Sequence, residues 1–376
     1  MTTRGDRRLA GAKRVVLKIG SALIVDETTG DPRQQWLDAL AGDIARLRQG
    51  GAQVVVVSSG AVRLGRARLG MMPGALRLEQ KQAAAAVGQI GLAHAWQETL
   101  ARHDVVVAQI LLTLEDSEQR ERYLNARQTM TTLLEQGSVP VINENDTVAT
   151  AEIRFGDNDR LAARVAEMVS ADTLVLFSDI DGLYSADPRR NPQATFIPEV
   201  RRITPEIEAM AGAATSVLSN GGMVTKLIAA RIAMAAGCRM AIVDGTLLNP
   251  LAALLDGQAR CTWFLPAAKP DAARKRWIGG TLKPAGTLVI DDGAARALAA
   301  GKSLLPAGVV TINGAFEAGA AVLVCDRKGN TLARGLVAYG ADDARRIAGR
   351  RSADIETVLG WRGREELIHR DDLAME

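Results

Sequence analysis

The sequence predicts an open, doubly wound α/β fold with a mostly parallel sheet, followed by a small β-barrel-like domain. Three observations carry this. Short β-branched runs alternate with longer helical patterns over the first two-thirds of the chain. Several of those runs are apolar without interruption, as strands covered on both faces are. After about Asp256 the pattern changes to short alternating strands with glycine turns. A length of 376 residues suits two domains.

In chain order, the run Arg14–Ile19 reads as the first strand, and Gln34–Gln49 as a helix long enough to carry the chain back to a parallel neighbour, Gln53–Val57. The helical pattern Leu78–Arg102 leads to strand Val105–Leu112, and Ser117–Glu135 leads to Val139–Ile142. Helix Asp159–Met168 precedes strand Thr173–Phe177, and helix Met223–Ala235 precedes Met240–Val243. These elements define a first domain over residues 13–260. Residues 261–283, with Pro266, Pro270 and the basic stretch Arg274-Lys275-Arg276-Trp277, read as a linker. A second domain over 284–362 holds strands Gly286–Ile290, Gly308–Ile312, Ala321–Val324 and Thr331–Val337, with a short helix Gly293–Ala300, and 363–376 reads as a tail.

Composition narrows the function. Hydrophobic residues make up 47% of the chain but aromatic ones only 3%, so the core rests on Ala, Val, Leu and Ile, which argues against an aromatic platform for single-stranded nucleic acid. Lys and Arg number 46 against 43 Asp and Glu, too close a balance to announce a polyanion partner by bulk charge. Cys238, Cys261 and Cys325 follow no metal-ligand spacing and suggest no disulfide framework. With only His94, His103 and His369, a histidine base or a multi-histidine metal site has few candidates. The polar stretch Met1–Arg8 and the lack of a long apolar run lead to the expectation of a soluble cytoplasmic protein with no membrane partner.

The residues of interest sit where strands end. In open α/β sheets ligands bind outside the carboxyl ends of the strands, and four ends here carry Lys18-Ile19-Gly20-Ser21, Ser58-Ser59-Gly60-Ala61, Asn143-Glu144-Asn145-Asp146 and Ser178-Asp179. Gly20 and Gly60 leave room for a phosphate to approach backbone N–H groups, although an ordinary turn also accounts for each. Ser219-Asn220-Gly221-Gly222-Met223 opens a helix bearing Lys226, a pattern that fits a triphosphate cradle or a plain glycine loop. Lys18 lies inside a buried-strand pattern, so its ammonium needs an anionic partner or a route to water. Gly156-Asp157-Asn158-Asp159 precedes a helix, where Asp157 or Asp159 serves equally as a cap or as part of a site.

These strings, with Asn125-Ala126-Arg127, the segment Gly182–Pro188, Gly222-Met223-Val224-Thr225-Lys226 and Arg345–Gly349, resemble the bacterial glutamate 5-kinases: an amino-acid kinase fold followed by a PUA domain. The resemblance covers roughly Lys13 to Asp372, and Asn143–Asp146 followed closely by Gly156–Asp159 is its most specific part. It implies transfer of the ATP γ-phosphoryl group to the side-chain carboxylate of L-glutamate, the first step of proline synthesis. Lys18 and Lys226 would serve the transferring group and the ATP phosphates, with Asp159 orienting them. Ser59, Asp146 and Asn158 would bind glutamate. Gly20, Gly60, Ser178, Asp179, Asn220, Gly221, Gly222, Met223, Val224 and Thr225 would join the lysines around ATP, and Mg²⁺ would ride on the nucleotide phosphates with no metal site of the protein's own.

The family commonly has Thr where this chain has Asn220, and Val25–Asp31 matches no part of its pattern. The resemblance further implies a homo-oligomer, feedback inhibition by proline and glutamyl phosphate reductase as a partner. Ser303–Gly308, Asn313–Phe316 and Ala333–Gly335 resemble a PUA domain, a fold that binds RNA in other proteins. The competing readings are therefore an RNA-binding regulator on a vestigial kinase fold and another carboxylate-directed amino-acid kinase.

Overall fold

A computed structural model describes residues 8–72, 74–148, 158–211, 222–280 and 283–376. By its internal contacts the chain divides into two units, Met1–Pro270 and Asp271–Glu376. The first runs through β1 (Arg14–Ile19), the single turn α1 (Ser21–Ile24), α2 (Gln34–Gln49), β2 (Gln53–Ser58), α3 (Ala61–Arg68), α4 (Leu78–Ala101), β3 (Val107–Leu112), α5 (Leu114–Glu118), α6 (Arg120–Glu135) and β4 (Val139–Glu144). It continues through α7 (Asn158–Met168), β5 (Thr173–Ser178), β6 (Leu183–Tyr184), β7 (Phe196–Ile197), β8 (Glu199–Val200), α8 (Pro205–Met210), α9 (Met223–Ala235), β9 (Arg239–Asp244), α10 (Pro250–Leu255) and β10 (Cys261–Phe264).

Among the described residues its main sheet has eight strands in the order β3-β4-β2-β1-β5-β9-β10-β8. All neighbours are parallel except β10, which pairs antiparallel to β9. The uninterrupted apolar runs have a direct cause. Val15, Leu17, Ile19, Val54 and Val56 point into one core with Leu37, Leu40 and Trp96 of α2 and α4. The alternating residues Val16, Val55, Val57, Leu174 and Leu176 enter a second core with Leu161, Val165, Leu227 and Ala230 of α7 and α9. Both faces of the central strands are thus covered, so no polar face is left to show in the sequence.

Several expectations change. Ser117–Glu135 is two helices, because Thr113 caps α5, its hydroxyl accepting from the Asp116 N–H at 3.2 Å, and the chain turns at Gln119 before α6. The supposed linker holds β10, with Trp263 and Phe264 buried in the large sheet, and then helix α11 (Pro270–Gly280). Pro270 starts that helix, where its missing N–H and fixed φ are no handicap, rather than interrupting one. Val25–Asp31 closes on itself: Val25 bridges Pro32, and the Asp26 carboxylate accepts from the N–H groups of Thr29 and Thr28, which hold its pKa below the ordinary value. Glu27 and Asp31 then pair with Arg63 and Arg68 of α3.

The second unit has β11 (Gly286–Ile290), α12 (Asp292–Ala299), β12 (Val309–Gly314), β13 (Ala321–Cys325), β14 (Thr331–Leu336), α13 (Ala341–Ile347), α14 (Ile355–Leu359) and β15 (Leu373–Met375). Its sheet has the order β12-β11-β13-β14-β15 around Leu288, Val322, Val324, Ile347 and Tyr339. The residues read as a tail are part of this body: β15 pairs with β14, and Leu367, Ile368 and Leu373 enter its core.

Candidate active site

The carboxyl ends of β4, β2, β1 and β5 lie side by side. Lys18, next to last in β1, shares the strand parity of Val16 and so faces α7 and α9. Asp159 in the first turn of α7 shares a helical stripe with Ala162, Ala163 and Ala166, all buried. Lys226 of α9 shares one with Ala230 and Ala233. Three charged side chains are therefore carried inward by elements whose apolar stripes face the same core.

They meet at one carboxylate. Lys18 Nζ is 2.6 Å from Asp159 Oδ1 and Lys226 Nζ is 3.4 Å from Asp159 Oδ2, with Asp159 1% exposed. The Thr225 hydroxyl lies 2.9 Å from Asp159 Oδ2 and 2.8 Å from the Gly222 carbonyl, and with one hydrogen it donates to one at a time. Burial by itself would raise the Asp159 carboxyl, but Lys18 and Lys226 outweigh it and hold the pKa below the ordinary range. Burial, with repulsion from Lys18, depresses the Lys226 ammonium, and Asp159 opposes that depression.

The other strand ends add polar groups. The Asn158 amide donates to the Ser59 hydroxyl, joining α7 to the end of β2. Asn158 Oδ1 is buried and makes no hydrogen bond among the described residues. A buried acceptor of this kind costs free energy unless something donates to it. Asp146 follows β4 in a turn fixed by the Asn145 N–H, which donates to the Leu112 carbonyl at 2.9 Å. Burial pushes its carboxyl up to about 6.

Ser178 ends β5, and its hydroxyl donates to Asp179 at 3.2 Å. Arg189 donates to the Asp179 carboxylate at 2.8 Å and holds its pKa down. Nothing in the sequence singled out Arg189, which reaches Asp179 from ten residues away. Gly60 takes φ 116° and caps α3, a conformation that favours glycine. Gly20 is an extended residue with φ −75°, so its backbone does not demand glycine, but a Cβ there would lie 3.9 Å from Lys18 Nζ. Gly222, Met223, Val224 and Thr225 form the start of α9. Asn220, Gly221, Gly156 and Asp157 lie outside the described residues.

Two further side chains reach the strand ends from α4. Trp96 donates to the Ser58 hydroxyl at 3.0 Å, and Gln89 accepts from the Asn143 amide. Neither is marked in the sequence, since both sit in a long Ala-rich helix with no motif.

Comparison with known proteins gives matches to both units. The Amino acid kinase family profile matches residues 13–244 and the PUA domain profile matches 286–359. The chain is 66% identical over 368 residues to glutamate 5-kinase of Paramagnetospirillum magneticum, covering 98% of this chain and 99% of that one. It is 62% identical over 361 residues to glutamate 5-kinase of Rhodospirillum rubrum, covering 96% of each. A third relative, glutamate 5-kinase of Rhizobium johnstonii, is 58% identical over 375 residues, covering 100% of this chain and 95% of its own.

Proposed function

The chain belongs to the amino acid kinase family, among its glutamate 5-kinases, and on that premise we propose how its residues divide the reaction. The enzyme transfers the γ-phosphoryl group of ATP to the side-chain carboxylate of L-glutamate, giving L-glutamyl 5-phosphate, the first step of proline biosynthesis. Relatives that match over nearly the whole chain do not favour an RNA-binding regulator on a vestigial kinase.

The observation that carries the assignment is the convergence of Lys18 and Lys226 on Asp159 at the strand-end rim. A carboxylate nucleophile with a reference pKa of about 4.3 is already ionised at neutral pH, so no general base is required. The task is to hold two anions together and cancel charge as the phosphoryl group moves. Lys18 and Lys226 do this at the phosphoryl oxygens, and an anion between them relieves their mutual repulsion. Asp159 and Thr225 hold the ammonium groups in register.

Gly20 keeps the backbone beside Lys18 bare. Gly60, Ser178, Asp179 and the stretch 222–226 line the nucleotide side. On the amino-acid side, Asp146 pairs with the α-ammonium group, while Ser59 and the open acceptor of Asn158 hold the rest of glutamate. Among the described residues no three His, Cys, Asp or Glu side chains gather as a metal cage. Mg²⁺ would ride on the ATP phosphates, where it would supply further charge cancellation.

A homo-oligomer in the cytoplasm, whose product passes to glutamyl phosphate reductase, completes the proposal. No helix of the described residues is long and apolar enough to cross a membrane. Proline presents an α-carboxylate and a cationic nitrogen as glutamate does, so it competes at Asp146. ATP consumption dependent on L-glutamate, with the product trapped as a hydroxamate by hydroxylamine, tests the reading. Turnover with aspartate or N-acetylglutamate and none with glutamate would overturn it.

A further inference from the structure

We propose that α4 is the positioning element of the amino-acid half of the site, acting through Gln89 and Trp96 on the ends of β4 and β2. The inference rests on the glutamate-binding roles proposed above. Gln89 Oε1 accepts from Nδ2 of Asn143, which is 2% exposed and three residues before Asp146. Trp96 Nε1 donates to Ser58 Oγ, both residues fully buried, immediately before Ser59. The two side chains are seven residues apart, two helical turns on one face, and they reach neighbouring strands.

The helix itself has little freedom to drift. It crosses α3 at backbone contact: a Cβ on Gly65 would lie 1.7 Å from the Ala84 carbonyl oxygen, and one on Gly88 1.8 Å from that of Ala61. α3 begins just after Ser59-Gly60, so the same crossing fixes the chain that follows the substrate serine. The phosphate half centres on β1, α7 and α9 around Asp159. The Ser59–Asn158 bond joins the two halves through α7. Gln89 and Trp96, however, hydrogen-bond to β4 and β2 rather than to the Lys18–Asp159–Lys226 cluster, so loosening α4's grip disturbs glutamate more than the lysines.

The test compares KM for glutamate with KM for ATP in the full-length enzyme. Gln89→Met keeps the shape but removes the acceptor, Gln89→Glu restores one, and Trp96→Phe removes the indole donor together with part of the buried ring. The proposal expects Gln89→Met and Trp96→Phe to raise the glutamate KM by about ten- to a hundredfold, as for a misplaced binding group. The ATP KM stays within about twofold on the same scale, and Gln89→Glu recovers glutamate binding. Equal losses for both substrates, or an unchanged glutamate KM in soluble, folded variants, would overturn it. If Gln89→Met fails to fold, the Trp96→Phe split and the Gln89→Glu value still decide. An unmodified enzyme without glutamate-dependent turnover would instead sink the proposed function.

Discussion

Replacing Asp159 by Asn keeps the side-chain shape but removes the charge that Lys18 and Lys226 share, leaving a buried and a mostly buried ammonium group that repel one another. We expect kcat to fall by about 10²–10³-fold, the scale for losing one preorganised electrostatic contributor, in single-turnover measurements with saturating substrates. Lys226→Ala is expected to lose about 2–4 kcal/mol of transition-state stabilisation for the same reason, and a near-normal kcat would refute its role. Asp146 gives a pH dependence with a definite sign. Burial pushes its carboxyl up to about 6, and in its proposed role only the ionised form would pair with the substrate's α-ammonium. The value of kcat/KM for glutamate should therefore fall as pH drops through about 6, while neither substrate carboxylate titrates there. An Asp146→Asn enzyme should show low, flat values over the same range. From the sequence Asp159 was an acid at a helix start; that it closes an ion pair with two lysines more than 60 residues away on either side depends on how three elements pack.

At the scale of elements, the α3–α4 crossing leaves no room for a Cβ at Gly65 or Gly88. Gly88→Ala would drive a Cβ into the Ala61 carbonyl, which is backbone and cannot rotate away. Overpacking of this kind typically costs about 1–3 kcal/mol, visible as a lower denaturation midpoint at unchanged m. The central strands were legible because burial on two faces writes an unbroken apolar run. The strand β10 was not: four residues between an exposed turn and two prolines carry too little pattern, and its place is set by the ladder it makes with β9. The same holds for β15, whose three residues become a strand only because β14 is there to pair with them.

On the scale of the whole molecule, every described residue assigned to the reaction falls in the first unit, and the second has its own core. Ligands that bind the native state raise its stability by mass action. Scanning calorimetry should therefore show a transition that rises with added ATP analogue and another that does not. A single transition shifted as a whole would contradict this.

The sequence by itself determined the sheet's central strands, the polar strand ends and the kinase family. Buried parallel strands need continuous apolar residues, and ligand contacts need particular side chains, so both leave local marks. Only the tertiary structure decided that Asp159 holds both lysines, that Val25–Asp31 pairs with α3, and that Gln89 and Trp96 reach the ends of β4 and β2. Those contacts join elements far apart in the chain through residue types with many other uses, and packing alone selects the partner.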